Sequence, residues 1–577
     1  MDTPVLDTDA GNIADEATQG ATRTDVGVVS PSAADPLWWR SAVIYQVYIR
    51  SFADGNGDGT GDLAGVRAKL GYLQALGVDA LWFTPWYPSP LADGGYDVSD
   101  YRAIHPAFGT LAEAELLIRE ALARGIRTII DVVPNHISDQ HEWFTAALEA
   151  GPGSPERERF WFRPGLGDNG DEMPNHWVSN FQGDTWTRTT NADGSPGEWY
   201  LHLFTPEQPD LNWNHPDVRR EHEDVLRFWF DRGVAGVRID SAALLIKDPE
   251  LPEVPEVVEA GQHPNVDRDE VHDIYRSWRE IADSYPGTRV LVGEVWMPDP
   301  VRFANYLRAD EMHTAFNFDF MARPWSAEAL RESIKSMISA HAPVDAPSTW
   351  VLSNHDVTRP VTRYGRNDSA FAFSTKRFGT PTDLALGTRR ARAAALLSAA
   401  LPGSLYIYQG DELGLPEVED LPEEARQDPM FFRSNRVDPG RDGCRVPLPW
   451  SGMRPPFGFT PPDAGYEPWL PQPEDWANFT VDAQEGDPAS MLSLYREALR
   501  IRHEHAALGD GKLEWLESET KVIAFSRGHG FVSLTNFADH PINLPEHQTV
   551  LLSSSELPLA ENGTVQLAPD STVWLQA

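Results

Sequence analysis

The 577-residue sequence predicts an α/β protein: a closed (β/α)8 barrel, a small domain inserted after its third strand, and a C-terminal antiparallel β domain. Three observations lead there. Eight short β-branched or aromatic runs alternate with stretches of helical periodicity. That rhythm breaks once, after the third run. Beyond about Gly509 it gives way to alternating strands around a Gly528-His529-Gly530 turn.

In order, the first run is Val43 to Ile49, followed by a helix with Leu63, Val66, Leu70 and Leu73 on one face. The second is Ala80 to Phe83. Its helix opens at Thr110 with Glu113 three residues on, a capping box. Ala114, Leu117, Ile118, Ala121 and Leu122 form its apolar face, and Gly125 stops it. The third run is Thr128 to Val133. From His136 to about Trp213 the chain is rich in Gly, Pro, Asn and Trp and lacks helical period, which reads as an inserted domain. A helix from Asp217 to Asp231 restores the rhythm. Runs follow at Val237–Asp240, Val290–Trp296, Ala315–Phe320, Trp350–Asp356 and Leu405–Gln409, and a last helix carries Met491, Tyr495, Ala498 and Leu499. The resulting division is a disordered acidic leader over 1–36, the barrel over 37–136 and 214–508, the insert over 137–213 and a β-sandwich over 509–577.

Composition narrows the function. Lys and Arg number 48 against 87 Asp and Glu, a formal charge of −39, which argues against nucleic acid or an anionic membrane as partner. No apolar stretch approaches the ~18 residues of a membrane span. The N-terminus lacks the basic start and apolar run of a secretory signal. One cysteine, Cys444, excludes an intramolecular disulfide and suits a reducing compartment, so a cytoplasmic protein is expected.

Reactive groups of such barrels sit where strands end. The third run ends Asp131-Val-Val-Pro-Asn135-His136, the fourth Arg238-Ile-Asp240, the fifth Gly293-Glu294-Val-Trp296 and the seventh Asn354-His355-Asp356. One acid at a strand end means little in so acidic a chain; three on different strands point to a site. Two facing carboxyls, one ionised and one protonated, are the working pair of glycoside hydrolysis. Arg238, two residues before Asp240, faces the same way and would hold Asp240 ionised, while neighbouring acids would keep a proton on Glu294. On spacing alone, Arg238 and Asp240 read equally well as a buried ion pair joining strands.

The ordered set DVVPNH (Asp131–His136), QPDLNW (Gln208–Trp213), GVRIDSA (Gly236–Ala242), GEVW (Gly293–Trp296) and SNHD (Ser353–Asp356) resembles the α-amylase superfamily of retaining glycoside hydrolases (glycoside hydrolase family 13). Within it the chain is similar to the α-glucosidase and oligo-1,6-glucosidase branch of these TIM-barrel enzymes, from Trp38 onward. The resemblance implies Asp240 as nucleophile, Glu294 as general acid and then base, and Asp356 as a sugar-binding carboxylate that helps distort the ring. It implies Asp93, Tyr96, His136, Arg238 and His355 as the lining of the cleaved glucose. With Asp93, Arg441 would close the pocket beyond one sugar. Substrates would be small α-glucosides cut at the non-reducing end, with sugar or alcohol acceptors possible, by a monomer or homodimer. Related readings are a transglucosylase, a sucrose- or trehalose-acting enzyme, and a non-catalytic barrel subunit.

The segment Asp54-Gly-Asn56-Gly-Asp58-Gly-Thr60-Gly-Asp62 alternates oxygen-bearing residues with glycines, as a hard cation needs, but has Gly65 where an EF-hand places its bidentate acid. In the resembling family this segment holds a structural Ca2+ or Mg2+ through Asp54, Asn56, Asp58, the Thr60 carbonyl and Asp62; an empty Gly/Asp loop is the alternative. No catalytic cofactor is expected. Ser241 stands where α-1,6-preferring relatives usually carry valine, which leans the reading toward α-1,4 substrates such as maltose. Trp296 is expected near the site because it follows Glu294. Phe371, Phe373 and Phe378, in a long loop from Arg363 to Leu386, could wall the acceptor side or bury one another.

Overall fold

Interior and exterior side chains alternate along eight short strands, and that alternation builds the barrel of the computed structural model, which describes residues 35–577. The leader expected over 1–36 lies, except for its last two residues, outside the described residues. The barrel strands are β1 (Val43–Val47), β2 (Ala80–Phe83), β3 (Arg127–Val132), β4 (Gly236–Ile239), β5 (Val290–Gly293), β6 (Thr314–Ala315), β7 (Thr349–Val351) and β8 (Ser404–Tyr408). Parallel ladders run in the order β7-β8-β1-β2-β3-β4-β5-β6. The seam between β6 and β7 is closed by a side chain: the Thr349 hydroxyl donates to the Ala315 carbonyl (2.7 Å) and accepts from the Asn317 amide (3.0 Å).

Ile44, Trp82, Ile129, Val292, Phe316 and Tyr406 fill the inside of the ring. Their sequence neighbours Tyr45, Leu81, Ile130 and Leu291 face outward into the layer of helices, as does Val237 beside Arg238. The same period of two, continued past the strand ends, turns Asp131, Arg238, Asp240 and Glu294 inward above that apolar plug.

Local signals explain most helix ends. Thr110 and Glu113 form both bonds of the capping box on helix Leu111–Leu122. Gly125, at φ 80°, ends it as a Schellman motif, with its own amide on Leu122 O and the Ile126 amide on Ala121 O. The single helix expected through Leu63 and Leu73 is instead two, Leu63–Ala68 and Leu70–Leu76, meeting at Lys69. The sixth run is shorter than its alternation suggested. Only Thr314–Ala315 pairs, because the Asn317 side chain accepts the Phe320 amide and starts a helix at Phe318–Ala322. The fifth and seventh strands likewise stop at Gly293 and Val351, leaving Glu294, His355 and Asp356 on the loops beyond.

Between β3 and helix Pro216–Asp231 lie a helix, Glu142–Ala150, and a three-stranded antiparallel sheet of Phe162–Arg163, Pro196–Leu201 and Trp186–Thr190. Trp161, Trp177, Trp186 and Leu203 pack at its centre. At the C-terminal end, a five-stranded antiparallel sheet docks on helix Leu384–Ala400 of the barrel, where Trp574 Nε1 donates to Leu396 O and Arg527 Nη1 to Ala400 O. No helix of the described residues is long and apolar enough to cross a membrane.

Candidate active site

One guanidinium organises the top of the barrel. Arg238 Nη1 donates to Asp131 Oδ1 (2.9 Å) and Asp240 Oδ1 (2.7 Å), and Nη2 donates to Glu294 Oε2 (2.7 Å). It thereby ties three carboxyls from β3, β4 and β5, and it is 1% exposed. The Arg238–Asp240 pair is buried but runs along one strand; Arg238 joins strands through Asp131 and Glu294, and the group also floors a cavity. The Asp240 and Glu294 carboxyls thus each sit 2.7 Å from one of the two terminal nitrogens of the same guanidinium. The Ser241 amide donates to Glu294 Oε2 (2.9 Å), and Trp296 Nε1 donates to Glu294 Oε1 (3.0 Å).

Burial pushes the Glu294 pKa up to about 7, with Asp240 and Asp356 adding to the push against Arg238. Asp131 is also lifted by burial to about 7. Arg238 does not hold Asp240 down as expected: burial raises that carboxyl above its ordinary value, Arg238 opposes, and Asp131 adds to the rise. One cation among three buried acids leaves the cluster holding a proton near neutrality.

Asp356 behaves oppositely. Arg441 Nη1 (3.0 Å) and Arg445 Nη2 (2.8 Å) both donate to its Oδ1. Burial works against its ionisation, yet His355 and these two guanidiniums hold the carboxyl well below the usual range. The His355 ring stacks on Tyr96 at 5.4 Å, with Nε2 2.8 Å from the Tyr96 hydroxyl and Nδ1 2.6 Å from Gln46 Nε2.

Asp93 and Arg441 form an ion pair in the cavity wall, where Arg441 Nη2 donates to Asp93 Oδ1 at 2.6 Å. Behind them Asp428 accepts from Arg441 Nε at 2.7 Å. Gln208 Nε2 bridges Asp93 Oδ2 (3.1 Å) and His136 Nε2 (3.0 Å). Burial lowers the His136 pKa to about 3, so its imidazole is neutral.

The cavity holds about 440 Å3. Asp93, Tyr96, His136, Asp240, Ser241, Glu294, His355, Asp356 and Arg441 all line it, with Arg238 directly behind them. Trp296 and Phe373 line it too, whereas Phe371 and Phe378 do not. Phe371 is buried against Phe373, and Phe378 stands in the open near Arg426. Asp131, Gln208, Arg445 and Asp428 have contacts that the sequence did not reveal. Asp131 and Gln208 lie inside the motifs DVVPNH and QPDLNW, but their partners come from other strands and loops.

Asp54, Asn56, Asp58, Thr60 and Asp62 lie apart from the cavity, in the loop before helix Leu63–Ala68. Asp54 accepts the amides of Asn56, Gly57 and Gly59. Asp62 accepts those of Gly55, Asn56 and Gly65. The all-oxygen donor set fits a hard cation in kind. These carboxylates are turned onto the loop's own amides, and among the described residues no three acidic, His or Cys side chains converge on one point.

The raised Glu294 pKa has a kinetic consequence. If Glu294 donates the proton, kcat/KM falls about tenfold per pH unit above about pH 7, as that proton is lost from the free enzyme. A profile of kcat/KM flat to pH 9 would remove Glu294 from the acid role.

Residues 46–511 match the family model "Alpha amylase, catalytic domain". The chain belongs to the α-amylase family. This α-amylase-family chain, a glycoside hydrolase, is 34% identical over 567 residues to the oligo-1,6-glucosidase of Parageobacillus thermoglucosidasius, covering 90% of this chain and 94% of that one. It is 35% identical over 518 residues to a probable α-glucosidase of Rhizobium meliloti (strain 1021), covering 86% and 88%. Among solved structures, the α-glucosyl transfer enzyme XgtA superposes with a TM-score of 0.80 at 33% identity, covering 93% of this chain and 99% of that one. Trehalulose synthase MutB from Pseudomonas mesoacidophila MX-45 gives 0.80 at 31% identity, with the same coverage.

Proposed function

We propose that the protein is a retaining, exo-acting α-glucosidase that releases α-glucose from the non-reducing end of short α-glucosides. One observation carries this: Asp240 and Glu294 are bridged at 2.7 Å each by the two terminal nitrogens of Arg238, beneath a cavity whose wall carries the Asp93–Arg441 ion pair. Retaining enzymes hold their carboxyls about 5–5.5 Å apart, inverting ones about 6.5–9.5 Å. Two carboxyls bridged by one guanidinium fit the shorter spacing, which supports retention.

In the first step Asp240 attacks the anomeric carbon while Glu294 protonates the departing oxygen, forming a covalent glucosyl ester. In the second, Glu294 takes a proton from water, whose oxygen displaces Asp240 and restores the α-anomer. Asp356, kept ionised by Arg441 and Arg445, binds hydroxyls of the glucose and favours the cationic transition state. Neutral His136 supplies hydrogen bonds without adding charge.

The linkage lean toward α-1,4 rests on Ser241, which the structure places at φ 48°. A β-branched residue there would carry backbone strain of about 1–3 kcal/mol, so a small side chain suits both the backbone and the space beside the leaving group. Proton NMR with maltose and isomaltose tests the whole reading. α-Glucose should appear first, and faster from maltose. First release of β-glucose would overturn retention, and faster isomaltose cleavage would overturn the lean. Transglucosylation is the second reading, because the leaving-group side is walled by Trp296 and Phe373 and can exclude water.

The Asp54–Asp62 loop is proposed to take a structural Ca2+ or Mg2+, from its donor chemistry. Added Ca2+ should raise the Tm by a few degrees and EDTA reverse it, leaving maltase activity at 25 °C unchanged; a Tm indifferent to both would retire the ion. The single buried Cys444 fits a cytoplasmic protein acting as a monomer or homodimer.

A further inference from the structure

The inserted domain is fastened to the barrel very unequally on its two sides. Toward the segment after β4 the bonds are several: Trp177 Nε1 donates to Pro252 O (2.8 Å), Asn175 Nδ2 to Leu251 O (3.0 Å) and Arg163 Nη2 to Pro249 O (2.8 Å). Toward the loop after β8, among the described residues, Arg433 alone supplies hydrogen bonds. Its Nε donates to Gln182 O (3.0 Å) and its Nη2 to Asp184 O (2.9 Å).

Those two carbonyls belong to a tight turn. Ser179 N bonds Gly183 O, Gln182 N bonds Ser179 O, and Gln182 and Gly183 stand at φ 68° and 78°. A Cβ on Gly183 would lie 3.3 Å from Arg433 Nη2, so glycine there lets the guanidinium reach the turn. Asn180 and Phe181, at the tip of the turn, line the cavity. The Phe181 ring lies 4.6 Å from the guanidinium carbon of Arg441 and meets Phe204 edge-on at 5.2 Å. Arg441 is held by its edges on Asp93, Asp356 and Asp428, and with Phe181 over its face it is 6% exposed.

Helix Pro429–Arg433 closes a circuit through these groups. Asp428 caps its first turn at Met430 N (2.9 Å) and accepts from Arg441 Nε. Arg433 ends the helix and grips the turn, and the turn returns to Arg441 through Phe181. Without Arg433 the left-handed Gln182 is held only by bonds within the insert, so the turn opens locally more often. Each opening lets water onto Arg441 and weakens its grip on Asp93 and Asp356.

Resting on the α-glucosidase reading above, we propose that Arg433 is a positioning residue: from outside the cavity it clamps the Ser179–Gly183 turn so that Phe181 covers Arg441, and Asp93 and Asp356 stay set for glucose. It touches no substrate. Its effect reaches the sugar through the turn.

Maltose kinetics and amide exchange of Arg433→Met and Arg433→Lys test the role. Arg433→Met should raise KM at least about fivefold and change kcat less than about twofold, because contacts to glucose made alike in ground and transition states are weakened together. Arg433→Lys keeps the charge and a donor and should recover part of that loss. Incomplete folding has the opposite signature, a lower kcat at unchanged KM. In Arg433→Met the Ser179 and Gln182 amides should exchange at least about tenfold faster while the barrel strands keep the parent's rates. If Arg433→Met does not fold, the same two readings on Arg433→Lys decide. An unchanged KM, a loss confined to kcat, or parental exchange at both amides would overturn the role. Exchange needs no substrate, so the two readings fail separately: a parent enzyme that leaves maltose intact sinks the α-glucosidase reading, and exchange at the turn alone then decides whether Arg433 is its clamp.

Discussion

Asp240→Asn is expected to lower kcat on maltose by more than about 10^4-fold, because an amide cannot form the glucosyl ester and no neighbouring group can replace it in line. The loss should not come from unfolding. Burial lifts the Asp240 pKa above its unfolded value, so the ionised carboxylate costs folding free energy at pH 7, and the neutral amide relieves that cost. The check is turnover of maltose beside the urea midpoint of the same preparation. A variant as stable as the parent with no activity supports the nucleophile; residual activity above one per cent would exclude it.

Arg238→Met should have the largest effect on stability. The guanidinium is the shared partner of Asp131, Asp240 and Glu294, the first fully buried and the other two facing the cavity. Methionine preserves much of the volume and leaves three acids without a cation, a loss of about 3–5 kcal/mol by analogy with breaking other buried ion pairs. The sign with pH follows from the raised carboxyls. A carboxyl whose folded pKa exceeds its unfolded one favours the fold while protonated, and loses that advantage as pH rises through the folded value. Asp131 and Glu294 stand near 7 even with Arg238 present, and without it they stand higher. The urea midpoint of the variant should therefore trail the parent more at pH 8 than at pH 6. An equal deficit at both would show that Arg238 acts through packing alone.

These two residues also show what a sequence can disclose. Asp240, Glu294 and Asp356 were visible because each ends an apolar strand, where a charge demands a reason. Arg238 was visible because a spacing of two puts it on the same face as Asp240. The helix stop at Gly125 and the capping box at Thr110 were local and readable for the same cause. Arg445 was not, since its bond to Asp356 spans 89 positions and depends on how the loop after β8 folds back. Nor could the sequence tell that burial would outweigh Arg238 at Asp240, for desolvation belongs to the assembled site. The sixth strand misled because Phe316 and Phe318 alternate as a strand would, while Asn317 between them has already begun a helix.

Seven of the eight joints in the barrel are stitched by backbone ladders; the one between β6 and β7 hangs on the single hydroxyl of Thr349. That joint is flanked by Phe316 and Phe318, and Phe318 carries the indole of Trp296. Asp131, Asp240 and Glu294 are thus mounted on the continuous part of the ring, while His355 and Asp356 follow β7, one of the two strands of the clasp. Amide hydrogen exchange, which follows local opening, should be quickest among the barrel joints at Asn317, whose proton is held by that hydroxyl instead of a carbonyl. Breathing at the clasp would shift Phe318 under Trp296 and the strand that leads to Asp356, while leaving Asp240 and the Arg238 floor in register.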